Sequence, residues 1–383
     1  MAKRTLKATA VGSVSALALA AAGSAHALST DVGNTELTIQ GYAKLDMIYD
    51  VDADLGNSVS HGNLGSTVNP DTYKDIDGHT RMHAYQSRIG FGTATPMDMG
   101  GDLNTYIEGD FYGAGGGELR LRHAYGTWNG VLAGQTWSNF NTFVGTPPSL
   151  DFTGAVGQSA QSRQAQVRYT VGDFSVAVED PDGIGGEALN QVGEKDSFYD
   201  LTARYESSAG PVNFSVGAVA NQFGFDNGTT DDNATGFGAF GAVSSEVTPG
   251  TTIRGALTAG DGIGSYLYVN PAAPGYVDGN DIETISAFGG TVSVTQAIGP
   301  GALTVAYAHA TADIDDAVDD GALAGSAPET NESLFANYIW SPVDQVSYGI
   351  EAGWHRQSYQ DQLSNGDDDS DGVRIQASAQ YSF

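Results

Sequence analysis

The chain has 383 residues, 52 glycines, no cysteine and a formal net charge of −30 at pH 7. The lack of cysteine excludes disulfides, thiol catalysis and cysteine-ligated zinc, and so acidic a surface repels nucleic acid. A chain of this length accommodates either two water-soluble domains or one large barrel.

The amino terminus has the pattern of an export signal. Lys3, Arg4 and Lys7 precede an apolar run over 8–22, and Ala25-His26-Ala27 has the A-x-A pattern of a cleavage site. We predict a signal peptide at 1–27 and a single barrel domain at 28–383. Cleavage would remove three positive charges, so that −30 becomes −33. No later apolar run approaches the roughly 20 residues of a spanning helix.

The remainder reads as alternating segments of about 9 to 13 residues, in which every second side chain is apolar. This is the two-residue period of a strand with one face in lipid and the other in water. We predict sixteen strands, at 36–49, 80–93, 102–111, 118–128, 131–137, 162–171, 174–180, 197–206, 212–221, 235–246, 251–259, 282–296, 302–311, 334–340, 345–356 and 373–383.

The connections between these segments alternate in length. Seven are short, near residues 97, 130, 172, 209, 249, 300 and 342, and eight are long. An even strand number with short periplasmic turns and long outer loops is typical of bacterial outer-membrane barrels. We therefore predict an all-β fold, a 16-stranded antiparallel transmembrane β-barrel in the outer membrane, whose third long loop folds inward.

The hairpin that begins at residue 118 carries two arginines on one face of its first predicted strand. The odd-numbered residues from 119 to 125 share one predicted face, whereas Arg120 and Arg122 share the other. His123 is therefore predicted to face lipid or a neighbouring subunit. Asn129-Gly130 favours the tight reversal, and the strand at 131–137 then leads into the long polar loop at about 138–161.

The last strand supports the barrel assignment. Its apolar face ends in Tyr381 and Phe383, which are placed to lie in an interfacial aromatic girdle. The alternative is the edge strand of a water-soluble protein.

Basic residues on the polar strand faces are the candidate pore lining, because a charge facing the bilayer midplane costs about 2–4 kcal/mol. They are Lys44, Arg88, Arg120, Arg122, Arg168, Arg204, Arg254 and Arg374. Arginine binds carboxylate and phosphate through paired hydrogen bonds, so we predict a channel that favours anions. In the alternative interpretation these arginines only neutralise inward-facing Glu108, Asp110, Glu118 and Asp200.

The acids concentrate in the long loops, for example at Asp313, Asp315, Asp316, Asp319 and Asp320. They either bridge to lipid phosphates through divalent cations or form a solvated acidic exterior suited to high salt. The run from Asp313 lacks the sixth-position glycine and closing glutamate of an EF-hand. We predict no metal site and no cofactor.

Four runs resemble the DcaP-like outer-membrane porins: QSRIGFGT at 86–93, LRLRHAYGTW at 119–128, AGQTWSNF at 133–140 and QVRYT at 166–170. The resemblance implies a trimeric sixteen-stranded porin that takes up small anions such as dicarboxylates. It places Arg120, Arg122 and Arg168 at matching motif positions. It also implies that the loop after GQTWSNF lines the constriction, where we expect Trp137, Asn139, Phe140 and Asp151. The helical segment that precedes the barrel in some relatives is expected to be missing.

Other functional classes fit less well. The mature histidines are scattered without paired spacing, so no nucleophile, base and orienting group converge, and we predict no enzyme. The alternative function is a non-conducting structural or adhesive barrel that binds partners through its acidic loops. The expected partners are small anionic or polar solutes, outer-membrane lipid, lipopolysaccharide and two further copies of the chain.

Overall fold

The computed structural model describes residues 27–66, 78–181, 193–361, 363 and 366–383. The signal peptide predicted at 1–27 lies outside this range except for its last residue. Within it, no helix is both long enough and apolar enough to cross a membrane.

Strands dominate the described residues. In chain order they are β1 Leu28–Val32, β2 Thr35–Asp50, β3 His79–His83, β4 Arg88–Pro96, β5 Asp102–Gly113, β6 Glu118–Trp128, β7 Val131–Trp137, β8 Arg163–Val171, β9 Phe174–Glu179, β10 Glu194–Lys195, β11 Asp200–Ala209, β12 Val212–Asp226, β13 Asp231–Thr248, β14 Thr251–Asp261, β15 Gly275–Asp278, β16 Asp281–Thr284, β17 Ser286–Ile298, β18 Gly301–Ala312, β19 Pro328–Val343, β20 Val346–Tyr359 and β21 Asp369–Ser382. Two short helices, α1 His61–Ser66 and α2 Asp315–Asp319, and a 3-10 turn, Gly264–Tyr266, lie in loops.

The sheet closes into the predicted barrel. β2 pairs antiparallel with β21 along one edge and with β3 and β4 along the other, so that the first and last strands meet. β15 and β16 pair only with each other, outside the barrel wall. Of the remaining strands, β3 and β4 form one interrupted strand, β10 extends the β11 position beside β12, and β1 extends the β21 position beside β2. Among the described residues the barrel therefore has sixteen strands, as the sequence predicts.

Side chains alternate across the wall as expected. Along β2 the side chains of Leu45, Met47 and Tyr49 are exposed on the outer surface, whereas Lys44 and Asp46 are buried inside. The exposed apolar residues form the face that lipid covers, because the bilayer core accepts few polar groups. The inner face carries the polar groups of the lumen.

The alternation fails in β6, where the predicted direction of His123 and Tyr125 is wrong. The register shifts at one point: Glu108 lies opposite His123, while the next residue, Gly109, lies opposite Leu121. This leaves Arg122 as the extra residue of a β-bulge, which moves all later side chains to the other face. His123 is consequently buried inside, where Nδ1 lies 3.0 Å from the Thr136 hydroxyl.

One short connection also differs from its predicted position. Ser341 and Pro342 belong to β19, and the chain turns after Val343, before β20 begins at Val346. The register shifts between Trp340 and Val343. A bulge accommodates proline within a strand because no ladder hydrogen bond is needed there.

Several loops fold into the barrel and pack on its inner wall. Residues 138–162, the third loop, contribute Phe140, Val156 and Ala160 to the main apolar core. The sixth loop, 262–285, adds Ile263, Tyr266 and Leu267 to the same core. The lumen is therefore partly filled, and the open space lies above and below the third loop.

Candidate functional site

The tip of the third loop is held against the wall by Glu351 of β20. The Glu351 carboxylate accepts hydrogen bonds from the backbone N–H groups of Leu150 (2.9 Å) and Asp151 (3.1 Å) and from the Asn337 side chain (2.9 Å). Lys44 Nζ donates to the Leu150 carbonyl oxygen at 2.9 Å. Side chains of β2 and β20, which lie on opposite sides of the β2–β21 closure, thus hold the tip of the third loop inside the barrel.

The beginning of the third loop is buried. Phe140 packs edge-on against Phe240 and Tyr266 and has no exposed surface. The backbone N–H of Asn139 donates to the Glu179 carboxylate at 2.6 Å. Both predicted constriction residues belong to the loop, but they anchor it to the wall and lie away from solvent. Trp137, at the end of β7, borders an open cavity.

Arg88, Arg120 and Arg122 surround two inward-facing acids. Arg120 and Arg122 both donate to Asp110, each with one contact of 2.8 Å, and Arg122 also donates to Glu108 at 2.9 Å. Arg88 lies 3.9 Å from Glu108. Arg122 is 1% exposed, so its main role is in a buried ion-pair network, which agrees with the neutralisation alternative for Glu108 and Asp110. Among the described ion pairs none involves Glu118 or Asp200, the other two acids of that alternative.

Lys44 and Arg374 are also paired and buried. Lys44 lies 3.1 Å from Asp46. Arg374 donates to Asp50 at 2.7 Å and to Asp151 of the third loop at 2.9 Å. Burial raises the pKa of the Asp151 carboxyl, but Arg374 and the N–H groups of Val59 and Thr153 outweigh it and hold this pKa below its usual value.

Arg168, Arg204 and Arg254 differ from the preceding arginines in their acceptors. Arg168 donates to Gln166 and to the Trp137 carbonyl oxygen, and Arg204 donates to the Asn141 carbonyl oxygen. Arg254 donates to the Thr295 hydroxyl at 3.0 Å. Within the described part of the chain, none of the three has a carboxylate oxygen within 4.0 Å. Their charges are therefore positioned by neutral groups.

Arg163, at the first position of β8, was not predicted as a site residue. Its guanidinium lies 4.7 Å from the centre of the Trp137 ring, over which Arg122 also lies at 5.6 Å. Strict alternation along β8 would place Arg163 on the same face as Val167. The local sequence does not reveal that Arg163 faces Trp137. At the first residue of a strand, the direction of the side chain depends on the neighbouring strand.

Two cavities lie towards the short turns. The first, of about 420 Å³, has Arg168, Arg204, Tyr106, Tyr125 and Trp137 in its wall, and none of the described residues lining it is acidic. The second, of about 910 Å³, contains Arg254 together with Asp173, Glu206 and Glu246. The side chain of Phe143 in the third loop borders both. We call the first the arginine cavity.

A third cavity of about 420 Å³ lies towards the long loops, and the described residues that line it include no lysine, arginine or acidic residue. Val59 to Gly62 of the first loop, Thr153 of the third loop and residues 268–271 of the sixth loop form much of its wall. We call it the outer cavity. In the described ranges no group of three histidines or acids is arranged to hold a metal ion.

Comparison with known proteins gives one family and one main architecture. The model of the DcaP outer membrane protein family matches residues 10–220. The outer membrane channel DcaP of Acinetobacter baumannii is 26% identical, covers 92% of this chain and 99% of its own, and gives a TM-score of 0.78.

More distant structures share the fold. An anion-selective porin from Comamonas acidovorans is 12% identical, covers 91% of this chain and 100% of its own, and gives a TM-score of 0.57. OmpT of Vibrio cholerae is 12% identical, covers 93% and 100%, and gives 0.59. A search of curated proteins gives no significant match.

Proposed function

This chain belongs to the DcaP outer membrane protein family, and we propose that its barrel conducts small anionic solutes in preference to cations. Family and fold make it an outer-membrane channel of porin type. The preference for anions, and for dicarboxylates among them, is our proposal. The proteins that it matches are channels, and we propose that it acts without catalysis, cofactor or metal.

The arginine cavity is the observation that supports anion preference. Across the part of the chain that the structure describes, its lining contains two guanidiniums and no carboxylate, although the full sequence carries 46 acidic residues. Hydrogen bonds to carbonyl oxygens fix the Arg168 and Arg204 side chains without cancelling their charge. A solute carboxylate entering here would supply the missing countercharge.

The acidic exterior does not oppose this effect strongly. Interactions between exposed charges are screened over about 8–10 Å at 0.1–0.15 M salt, whereas charges in a narrow, partly dehydrated passage are screened less. The nearby arginines therefore dominate the local potential. Arginine also offers paired donors to a carboxylate, which favours dicarboxylates that engage both guanidiniums.

The test is the reversal potential of single channels in a salt gradient. We expect anion preference in the wild type and its loss or inversion in the double variant Arg168→Gln/Arg204→Gln, because two cavity-lining positive charges without a directly paired carboxylate are removed. The matched control is Arg356→Gln, which removes an arginine paired with Glu332 and Asp369 near the long loops. Cation preference in the wild type would overturn the proposal.

Liposome swelling with matched anionic, neutral and cationic solutes tests the solute class directly. A short dicarboxylate should enter faster than a neutral solute of equal size. The absence of any conductance would instead support the alternative of a structural or adhesive barrel. The homotrimer and the contacts with lipopolysaccharide remain predictions, which crosslinking in native outer membranes would check.

A further inference from the structure

The first loop, residues 51–66, forms a second inward-folded element beside the third loop. Ala53, Leu55, Val59 and Leu64 make a small buried apolar cluster of their own. Around it, the Leu55 N–H donates to Asp50 at 3.0 Å, and His61 Nε2 of α1 lies 2.9 Å from the Glu332 carbonyl oxygen. The part of the first loop that the structure describes is therefore docked on the wall.

Asp151 joins this loop to the third loop. Its two carboxylate oxygens accept from the Val59 N–H at 3.1 and 3.2 Å, and one also accepts from the Thr153 N–H at 2.9 Å. Thr153 in turn donates its hydroxyl to the Val59 carbonyl oxygen at 2.8 Å. Asp151 and Thr153 thus bind both backbone groups of Val59, its N–H and its carbonyl oxygen.

Arg374 connects the same carboxylate to the barrel wall. Its guanidinium donates to Asp151 and Asp50, and it also donates to the Gly56 carbonyl oxygen at 2.6 Å. Glu351 fixes the backbone N–H of Asp151 on the other side. A continuous series of contacts therefore runs from β20, through the tip of the third loop, to the first loop and β21.

We propose that Asp151 is a positioning residue that couples the first loop to the third, so that the two loops form one rigid constriction. The coupling fixes the wall of the outer cavity, to which Val59 and Thr153 both contribute. The expected effect of this coupling on ion current rests on the proposed channel function. The structural part of the inference is independent of ion selectivity.

The chain contains no cysteine, so a single introduced thiol reports on the docking of the first loop. Val59 is 4% exposed, and Val59→Cys should react slowly with an aqueous thiol reagent in the otherwise unchanged protein. Adding Asp151→Ala should raise the labelling rate at least fivefold. Asp151→Asn keeps one acceptor oxygen and should give an intermediate rate.

Removal of Asp151 should leave the barrel intact, because Arg374 retains its paired contact with Asp50. Heat-modifiable migration of each variant checks folding. The control is Asp54→Ala, which removes a first-loop carboxylate paired with Arg81 on the exposed side, and should leave Val59→Cys slow. An unchanged labelling rate in folded Asp151→Ala would overturn the proposal.

Conductance supplies the second readout. Asp151→Ala should increase open-channel current noise and widen the distribution of conductance levels, whereas Asp54→Ala should do neither. A wild-type channel without anion preference, together with the labelling rates expected above, would overturn the proposed function alone. Rapid labelling together with unchanged conductance and noise would overturn the claim that the coupled loops form the constriction.

Discussion

At the scale of single residues, the acceptor of each arginine decides what its charge can do. Arg122 and Arg374 donate to carboxylates and are almost completely buried, so that their charges are cancelled within the protein. Breaking such a buried pair leaves an uncompensated charge, which costs about 3–5 kcal/mol. Arg168 and Arg204 donate to carbonyl oxygens, which hold the guanidiniums in place without forming an ion pair.

A loop carboxylate gives a pH prediction at this scale. The hydrogen bonds from Arg81 outweigh burial and lower the pKa of Asp54 from 3.8 to about 2. A carboxyl whose pKa is lower when folded stabilises the folded state above its unfolded pKa, and this contribution disappears as pH falls through the folded value. The stabilisation should therefore be complete above about pH 5 and decline between about pH 4 and 2.

The measurement is the melting temperature of wild type and Asp54→Asn in detergent as a function of pH. The difference between them should be constant from about pH 5 to 8 and shrink as pH approaches 2. In an Arg81→Gln background the same difference should become small and independent of pH. A wild-type advantage that grows on acidification would contradict the assignment.

At the scale of elements, the third loop lies so close to the wall that some positions require glycine. Gly157 has φ +74°, and a Cβ there would lie against the His309 carbonyl oxygen and 2.7 Å from the Gly290 nitrogen. The Gly157 N–H also donates to the Tyr268 carbonyl oxygen at 2.9 Å, which ties the third loop to the sixth. The close approach of these backbones excludes any side chain.

We expect Gly157→Ala to displace the third loop from β17 and β18 and to change single-channel conductance. Gly154→Ala is the matched control, because Gly154 has a similar φ of +67° but only the Ser149 side chain near its Cβ position. Both variants carry the left-handed backbone cost of roughly 1–2 kcal/mol, so only the backbone clash distinguishes them. Equal conductance in the two variants would contradict this packing.

At the scale of the whole molecule, a strongly acidic chain encloses a locally basic passage. The formal charge is −30, yet no acidic residue within the described ranges lines the arginine cavity. The loop acids act on a solute from a distance through electrolyte, whereas the cavity arginines act at contact. The balance between the two therefore depends on ionic strength.

We predict that the anion-to-cation permeability ratio falls by several-fold between 0.1 M and 1 M potassium chloride. The Debye length shortens from about 10 Å to about 3 Å over this range, so the field of the arginines reaches less of the passage. The Arg168→Gln/Arg204→Gln variant should show a much weaker dependence on salt. Reversal potentials at fixed concentration ratios provide the measurement, and a salt-independent ratio in the wild type would argue against electrostatic selection.

The sequence by itself determined the barrel. Alternation and turn residues are local properties, and they were sufficient to predict sixteen strands, the lipid-facing side of β2 and the inward position of Arg168. Family resemblance led to the same architecture. The phase of alternation was lost where a partner strand imposed a bulge, at Arg122, so that His123 and Tyr125 were assigned to the wrong face.

Only the tertiary structure decided which charges are available to a solute. Asp110 is close in sequence to its partner Arg120. In contrast, Asp50 and Asp151 both pair with Arg374, which is far from them in the sequence. Glu351 likewise accepts a hydrogen bond from Leu150 of the third loop, about 200 residues away. Such partners are brought together by barrel closure and by the inward folding of loops. Strand periodicity carries no information about them, because it specifies the face of a side chain and not the group that it meets.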